Sequence, residues 1–206
     1  MTNVLIVAKT RIRKRGYGIA GVRLDFHENV RLLPSNGFIH PLDSPLEVGS
    51  IWNFMLQKIP LNEKTAPFIE SIRIVKGHPV GSKTEIETKD YILTHLDAPY
   101  TSPEGLFSGR VNINEHNKAV ITPYHGVPLY GTGFWRFEKD LIRKNKRKDL
   151  RFIMVDDDCD ECRVDFPYLG TQEPVESIPA GSLLHFTLSN WWGGVCWLLL
   201  SRWYLY

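Results

Sequence analysis

The chain has 206 residues, of which 43% are hydrophobic and 12% aromatic, and its formal net charge at pH 7 is +2. This composition is that of a globular protein with one large domain or two small ones, and the near-balanced charge does not by itself identify a nucleic-acid binder.

The tryptophan-rich end is too short to span a membrane, because its unbroken apolar run is only Val195 to Leu200 and a spanning helix needs roughly 20 such residues. No secretory signal precedes Val4, and three cysteines do not form a disulfide framework. We therefore expect a cytoplasmic protein with no membrane partner.

Short β-type runs separated by turn residues make up most of the first half, a texture typical of sandwiches and barrels. They predict strands at 4–12, 17–24, 30–33, 51–59 and 68–75. One helix is predicted at 84–96, with Ser82 or Thr84 as its cap and glutamates in its first turn. The loop that follows contains proline, glycine and serine, so we place the domain boundary at 97–105.

The second half repeats this texture. Its predicted strands are 118–124, 131–137, 150–157, 162–169, 181–189 and 195–206. Two pairs of these predict hairpins, one turning within 156–160 and one at Gly193-Gly194. With roughly five strands in each half, the sequence predicts an all-β chain with one or two short helices, arranged as two small barrels at 1–100 and 101–206.

An ordered series of segments resembles the dual OB-containing domain family of prokaryotic defence-associated proteins. In the first half these segments are NVLIVAKTRI with GIAGV, VRLLP, SPLEVGSIW and FIESIRIV. In the second they are EGLFSGRV, GTGFWRFEKDL, LRFIMVDD with CRVDFPYLG, and GSLLHFTLSNWWGGVCWLLL. The resemblance spans nearly the whole chain and rests on the order of the segments. It implies two tandem OB-like five-stranded β-barrels and a role in sensing or binding nucleic acid, and it supplies no catalytic residue to carry over.

The first of two basic clusters lies at the end of the first predicted strand. With its neighbouring aromatic residue it consists of Lys9, Arg11, Arg13, Lys14, Arg15 and Tyr17. On a strand, Lys9, Arg11 and Arg13 share one face. Cations at that spacing beside an aromatic ring suit a groove that follows a phosphate backbone and stacks a base. A solvated strand edge that charge protects from aggregation is an equal alternative.

The second basic cluster follows Trp135 and Arg136. Its residues are Lys139, Arg143, Lys144, Lys146, Arg147 and Lys148. A dense basic run beside an aromatic can bind nucleic acid, and a disordered solubilising loop is an equal alternative. Nucleic-acid binding is favoured if the two clusters lie on one face of the protein.

Four of the six tryptophans lie within residues 188–206. Neither face of the last predicted strand is cleanly polar, so we expect most of its aromatic residues to pack in the core or between the halves. Trp191, Trp192 and Trp203 are the candidates for base stacking or for an interface.

Metal and catalytic motifs are weak. The acidic run at 156–161 lacks the spacing of an EF-hand loop, and Cys159 with Cys162 supplies only half of the four ligands usual for structural zinc. The seven histidines match no metal or catalytic motif, and the glycines form no phosphate loop or nucleophile elbow. We therefore predict no metal, no cofactor and no enzymatic activity.

Two functions follow from these observations, and a third stays open. The first is a module that binds single-stranded nucleic acid, with RNA favoured over DNA, in a defence system. The second is an adaptor that couples an effector protein, such as an NTPase, to its trigger. A small-molecule or nucleotide sensor is the third.

Overall fold

The structure is a computed structural model that describes residues 1–12, 15–59, 67–146, 149–156 and 159–206. For 145–149 and 155–163 the description covers only the backbone, and 147–148 and 157–158 are left out altogether. No helix among these residues has the length and apolar character needed to cross a bilayer.

The first half folds into a closed barrel of five strands. They are β1 (Thr2–Arg11), β2 (Tyr17–Arg23), β3 (Glu28–Leu33), β4 (Ser50–Lys58) and β5 (Ser71–Ser82). The order around the barrel is β1-β2-β3-β5-β4, with β3 and β5 parallel and the other pairs antiparallel. This Greek-key order is that of the OB fold.

Strand β1 is buried on both faces, which explains its unbroken apolar sequence. Val4 and Ile6 pack inside the barrel. Leu5 and Val7 belong to a second cluster that also contains Phe134, Leu183 and Tyr204 from the other half of the chain. The two halves therefore share a hydrophobic core along β1.

The predicted helix is confirmed as α1 (Glu85–His95). Thr84 is its cap: the Thr84 hydroxyl accepts from the backbone N–H of Glu87, and the Glu87 carboxylate accepts from the backbone N–H of Thr84. This reciprocal capping box satisfies donors that the first helical turn would otherwise leave free. Shorter helical turns lie at Pro103–Gly105, Leu106–Gly109 and Pro123–His125.

In the described part of the second half there are nine strands in two sheets. They are β6 (Asn112–Ile113), β7 (Ala119–Ile121), β8 (Thr132–Arg136), β9 (Leu141–Lys146), β10 (Asp149–Asp156), β11 (Cys159–Pro167), β12 (Ser177–Ile178), β13 (Leu183–Leu188) and β14 (Cys196–Tyr204). One sheet has the order β11-β10-β9-β12 and the other β6-β7-β14-β13-β8. The sheets enclose a core rich in aromatic residues.

The second half repeats the strand order of the first. Strands β8 and β9 together take the position of β1, and β10, β11, β13 and β14 take those of β2 to β5. Strand β8 pairs with β13, β13 pairs with β14, and a parallel bridge joins Tyr168 to Leu200 where β11 ends. The prediction of a mainly β, OB-like chain is confirmed, with the difference that the second half is a half-barrel of two sheets and only the first half closes completely.

One segment differs from expectation in its local structure. The basic run that could have been a disordered loop contains β9, which pairs with β10 from Asp149↔Lys146 to Met154↔Leu141 and with β12. Leu141 is buried in the core and fixes the start of this strand. The basic residues of β9 are therefore held in a regular sheet.

Candidate nucleic-acid interface

Two cations lie side by side on the outer face of the β9–β10 pair. Phe152 is fully buried in the core, so its neighbours Arg151 and Ile153 in β10 point to the opposite face of the sheet. Lys144 of β9 lies directly across from Arg151, and Ile142 lies across from Ile153. Cross-strand partners share a face, so this surface has a row of cations next to a row of isoleucines.

An ion pair fixes one of these cations. Arg151 Nη1 lies 2.9 Å from Asp165 Oδ1, and the two side chains are only 13% and 8% exposed. No described side chain forms an ion pair with Lys144. A lysine directly opposite an arginine is unfavourable in a sheet, and Asp165 compensates for only one of the two charges.

The end of β1 continues this face from the other half of the molecule. Thr10 bridges Gly170, and the backbone N–H of Arg11 donates to the carbonyl of Leu169 at 2.6 Å. Tyr168 is buried in the core, so Leu169 projects outward beside Arg11. Pro167 lies across from Arg151. We call the surface formed by these residues the basic face: Arg11, Lys144 and Arg151 with Ile142, Ile153 and Leu169.

The remaining predicted residues of the first cluster are placed differently. Lys9 is only 5% exposed, and its Nζ donates to Glu47 Oε1 at 2.6 Å and to the carbonyl of Ser44 at 3.3 Å. The same ammonium lies 4.5 Å from the centre of the Tyr17 ring. The expectation that Lys9 shares an open face with Arg11 is therefore corrected, because its charge is neutralised inside the first barrel. Arg15 is exposed, while Arg13 and Lys14 lie outside the described residues.

Three predicted residues of the second cluster have partners within the protein. Arg143 pairs with Glu176 at 3.0 Å. Arg136 Nε donates to the carbonyl of Ala98 at 2.9 Å, and its guanidinium lies 4.1 Å from the Tyr100 ring centre. Trp135 packs against the aromatic core. The side chain of Lys146, and Arg147 and Lys148 as a whole, lie outside the described residues.

The three candidate tryptophans have three different environments. Trp203 is fully buried, with its ring centre 5.3 Å from that of Phe152 and 4.9 Å from that of Tyr168. It is a core residue, which corrects its candidacy for stacking. Trp191 is partly buried against the same core. Trp192 is 75% exposed.

A tight turn holds Trp192 in its exposed position. The backbone N–H of Trp192 donates to the carbonyl of Val195 at 2.9 Å, and the reverse bond is 3.2 Å. Between them Gly193 and Gly194 have φ of 59° and 80°, the pattern of a two-residue turn that matches the twist of its hairpin. In OB folds the loops between strands 1 and 2 and between strands 4 and 5 flank the ligand face. The β9–β10 and β13–β14 connections hold those positions here.

Buried titratable groups lie apart from the basic face. His185 is fully buried and hydrogen-bonded to the Thr132 hydroxyl at 2.6 Å. Burial lowers its pKa to about 3, with a smaller contribution from Arg202. Burial likewise raises the pKa of Cys196 to about 12. The described side chains include no group of three or more histidines, cysteines or carboxylates arranged to hold a metal ion.

Sequence reasoning missed four residues of the basic face: Arg151, Ile142, Ile153 and Leu169. The signal for Arg151 and Ile153 was present, because LRFIM at 150–154 places Phe152 and its alternate neighbours on one face and Arg151 with Ile153 on the other. The position of Ile142 beside them depends on the pairing of β9, which we had not predicted.

No protein-family model matches the chain, and no curated protein matches its sequence. Among solved structures, the chain is similar to an Ifi202 HINa domain in complex with 20bp dsDNA, with 9% identity, a TM-score of 0.31, and coverage of 97% of this chain and 95% of that one. It is also similar to a murine DNA binding protein bound with ds DNA, at 7% identity and a TM-score of 0.30, with 97% of each chain covered. At these scores we draw no conclusion from either likeness, and the OB assignment rests on the strand order.

Proposed function

We propose that the protein binds single-stranded nucleic acid along the basic face, with RNA favoured over DNA and with Trp192 as a stacking residue. The observation that carries this proposal is the contact of β1 with the end of β11. The Thr10–Gly170 bridge adds Arg11 to the surface that carries Lys144 and Arg151. Cations far apart in sequence then follow one surface, as a phosphate backbone requires.

The chemistry of the face supports an anionic ligand with apolar parts. A phosphate beside Lys144 would give this lysine an ionic partner, since Asp165 already pairs with Arg151, and Ile142 and Ile153 offer apolar contact to a sugar or base. Trp192 presents a large ring on a short turn, and base stacking on such a ring is worth about 1–3 kcal/mol per base. Stacking of this kind needs a base released from a duplex, which favours a single strand.

We place this activity in a prokaryotic defence system. The support is the ordered series of segments that resembles the dual OB-containing domain family, together with the OB-type strand order. Because function does not follow from fold, the binding measurement comes first.

The test compares two variants with the same change in charge. In the first, Arg11 and Lys144 are both changed to alanine; in the control, Lys58 and Lys76, exposed on the first barrel, are changed to alanine. Binding of fluorescent single-stranded RNA and DNA is measured between about 50 and 200 mM salt. Loss of two phosphate contacts lowers the magnitude of the salt slope by about 1.4 and the affinity about ten-fold.

The control variant is expected to match the wild type in affinity and in salt slope. Equal losses in both variants would show a nonspecific charge effect and contradict the proposed site. No binding by the wild type at low salt would contradict the function for free oligonucleotides. Tighter binding of DNA than of RNA would support the proposed site and contradict the preference for RNA.

A further inference from the structure

The first barrel has an open strand edge. Strand β3 pairs with β5 only from Arg31↔Ser71 to Leu33↔Arg73, while β4 follows β5 as far as Ser82. Among the described residues, no strand pairs with the other edge of 74–82. Backbone donors and acceptors along that edge are therefore available to an added strand.

A cavity lies beside this edge. It is an open depression with a volume of about 350 Å³, and it lies between the 34–46 segment on one side and β4 and β5 on the other. Trp52, Phe54, Leu46 and Ile74 give it an apolar lining. Gly77 also lines it, and a Cβ at Gly77 would overlap the Phe54 ring. The bare backbone at this position lets the Phe54 ring, which is only 1% exposed, pack directly against β5.

Charge along the two strands is positive, while Asp43 of the 34–46 segment places one carboxylate in the lining of the cavity. Strand β5 contains Arg73 and Lys76, β4 ends with Lys58, and neither strand contains a carboxylate. Val75 and Val80 are exposed between these polar residues. An occupant that complements this edge is extended, carries carboxylates, and has a large apolar side chain for the cavity.

We propose that the open edge of β5 binds an extended acidic segment of a partner protein as an additional strand, with one aromatic or large aliphatic side chain in the cavity. In this recognition mode backbone hydrogen bonds supply affinity and the pocket supplies specificity. A second copy of the chain is a poor occupant, because Lys76 would face another cationic edge. Pro79 has no N–H to donate, so an added strand pairs with the other residues of the edge. This inference goes beyond nucleic-acid binding and uses a different surface.

The experiment uses the full chain, isotopically labelled, and a synthetic capped peptide of about eight residues, within the usual length of a strand. In the peptide, glutamate alternates with valine and one central valine is replaced by phenylalanine. The amide resonances of Gly77 and Gly81 report on the edge during titration. Two control peptides are used: one has lysine for glutamate, and the other has the same side chains with alternate backbone nitrogens methylated.

We expect the acidic peptide to shift the Gly77 amide and to bind at least ten-fold more tightly than either control. Backbone methylation removes ladder hydrogen bonds without changing the side chains, so equal binding of the methylated peptide would overturn strand addition. No shift at Gly77 with the peptide at about 1 mM, the weak limit of measurable affinity, would also overturn the proposal.

Variants separate this site from the basic face. Lys76→Glu is expected to weaken peptide binding about five-fold and to leave RNA binding unchanged. The double variant in which Arg11 and Lys144 are changed to alanine is expected to weaken RNA binding and to leave peptide binding unchanged. If single-stranded RNA, and not the peptide, shifts Gly77, the edge is a nucleic-acid contact and the proposal fails. If sedimentation shows a dimer that Lys76→Glu changes, the occupant is a second copy and the proposal also fails.

Discussion

The two OB-type halves use the same strand positions for different contacts. In the first barrel the end of β1 is joined to the second half, because Arg11 donates its backbone N–H to Leu169 and Thr10 donates its hydroxyl to Ser201. In the second half the matching strand, β9, pairs with β10 and β12 of its own sheet. Two cations on these strands have different environments: Lys9 is buried and paired with Glu47, whereas Lys144 lies on an outer face across from Arg151.

The cores differ in the same way. The interior of the closed barrel is mainly aliphatic around Phe54. The half-barrel is filled by a network of rings that includes Phe137, Phe166, Phe186 and Trp203. The barrel completes its ring of strands through the pairing of β3 with β5, whereas two facing sheets depend on what is packed between them. The comparison therefore predicts that truncating a large buried ring of the second half lowers the free energy of unfolding most.

The largest effect is expected for Trp203→Ala. Removing a fully buried indole should lower the free energy of unfolding by about 3–5 kcal/mol, as measured by chemical denaturation. Because the shared core joins Leu5 and Val7 to Tyr204, both halves should lose stability in one transition. The matched control is Trp192→Ala, which removes the same ring from an exposed turn and should change stability by less than about 0.5 kcal/mol. Two separate transitions in Trp203→Ala would show that the halves are energetically independent.

Acidification tests the second half through His185. Burial lowers the pKa of this histidine from 6.5 to about 3 in the folded protein, so on acidification the unfolded chain takes up the proton first. The contribution of the buried, neutral His185 to the free energy of unfolding is complete above about pH 6.5 and is lost as the pH falls from there toward 3. The slope for one proton is about 1.4 kcal/mol per pH unit.

The measurement is the free energy of unfolding between about pH 6.5 and 5.5, above the range in which most carboxylates take up protons. His40 in the first barrel also has a pKa lowered by burial, so part of the slope belongs to it. His185→Asn should remove the contribution of the second half and leave that of His40. An unchanged slope in the variant would mean that His185 is not held neutral by the fold.

Local features of the fold could be predicted from the sequence because their causes are local. The Thr84–Glu87 capping box fixes the start of α1, and Gly193-Gly194 fixes the turn of the β13–β14 hairpin. The unbroken apolar run of β1 also indicates a strand buried on both faces. Each of these signals lies within a few residues of the feature that it specifies.

The candidate site could be predicted only in part, because its arrangement depends on contacts between distant segments. Lys9 is neutralised by Glu47, which lies 38 residues away. Arg11 joins the basic face through Leu169, and no pattern near Arg11 indicates that partner. A basic strand and a basic loop also have the same composition, so the basic residues of β9 do not distinguish the two, and the strand depends on its pairing with β10.

Trp192→Ala tests whether the exposed ring on the β13–β14 turn takes part in RNA binding. Removing one stacking ring should weaken binding of single-stranded RNA by about 1–3 kcal/mol, while the thermal midpoint stays unchanged. Trp192→Phe keeps an aromatic surface on the same turn and should retain most of the affinity. Fluorescence anisotropy at a single salt concentration is the measurement. Full affinity in Trp192→Ala would remove the β13–β14 turn from the proposed site and leave the basic face to be tested alone.

The smallest effect is expected at the junction of the halves. The Tyr204 hydroxyl donates to the carbonyl of Val7 at 2.7 Å, with both residues fully buried. Tyr204→Phe keeps the packing and removes one hydrogen bond, so the free energy of unfolding should fall by about 1 kcal/mol. Tyr206→Phe is the control, because that ring is largely exposed and loss of its hydroxyl should have no effect. If Tyr204→Phe is as stable as the wild type, this hydrogen bond sets the register of β1 without adding to stability, and the apolar contacts of the shared core account for more of the hold between the halves.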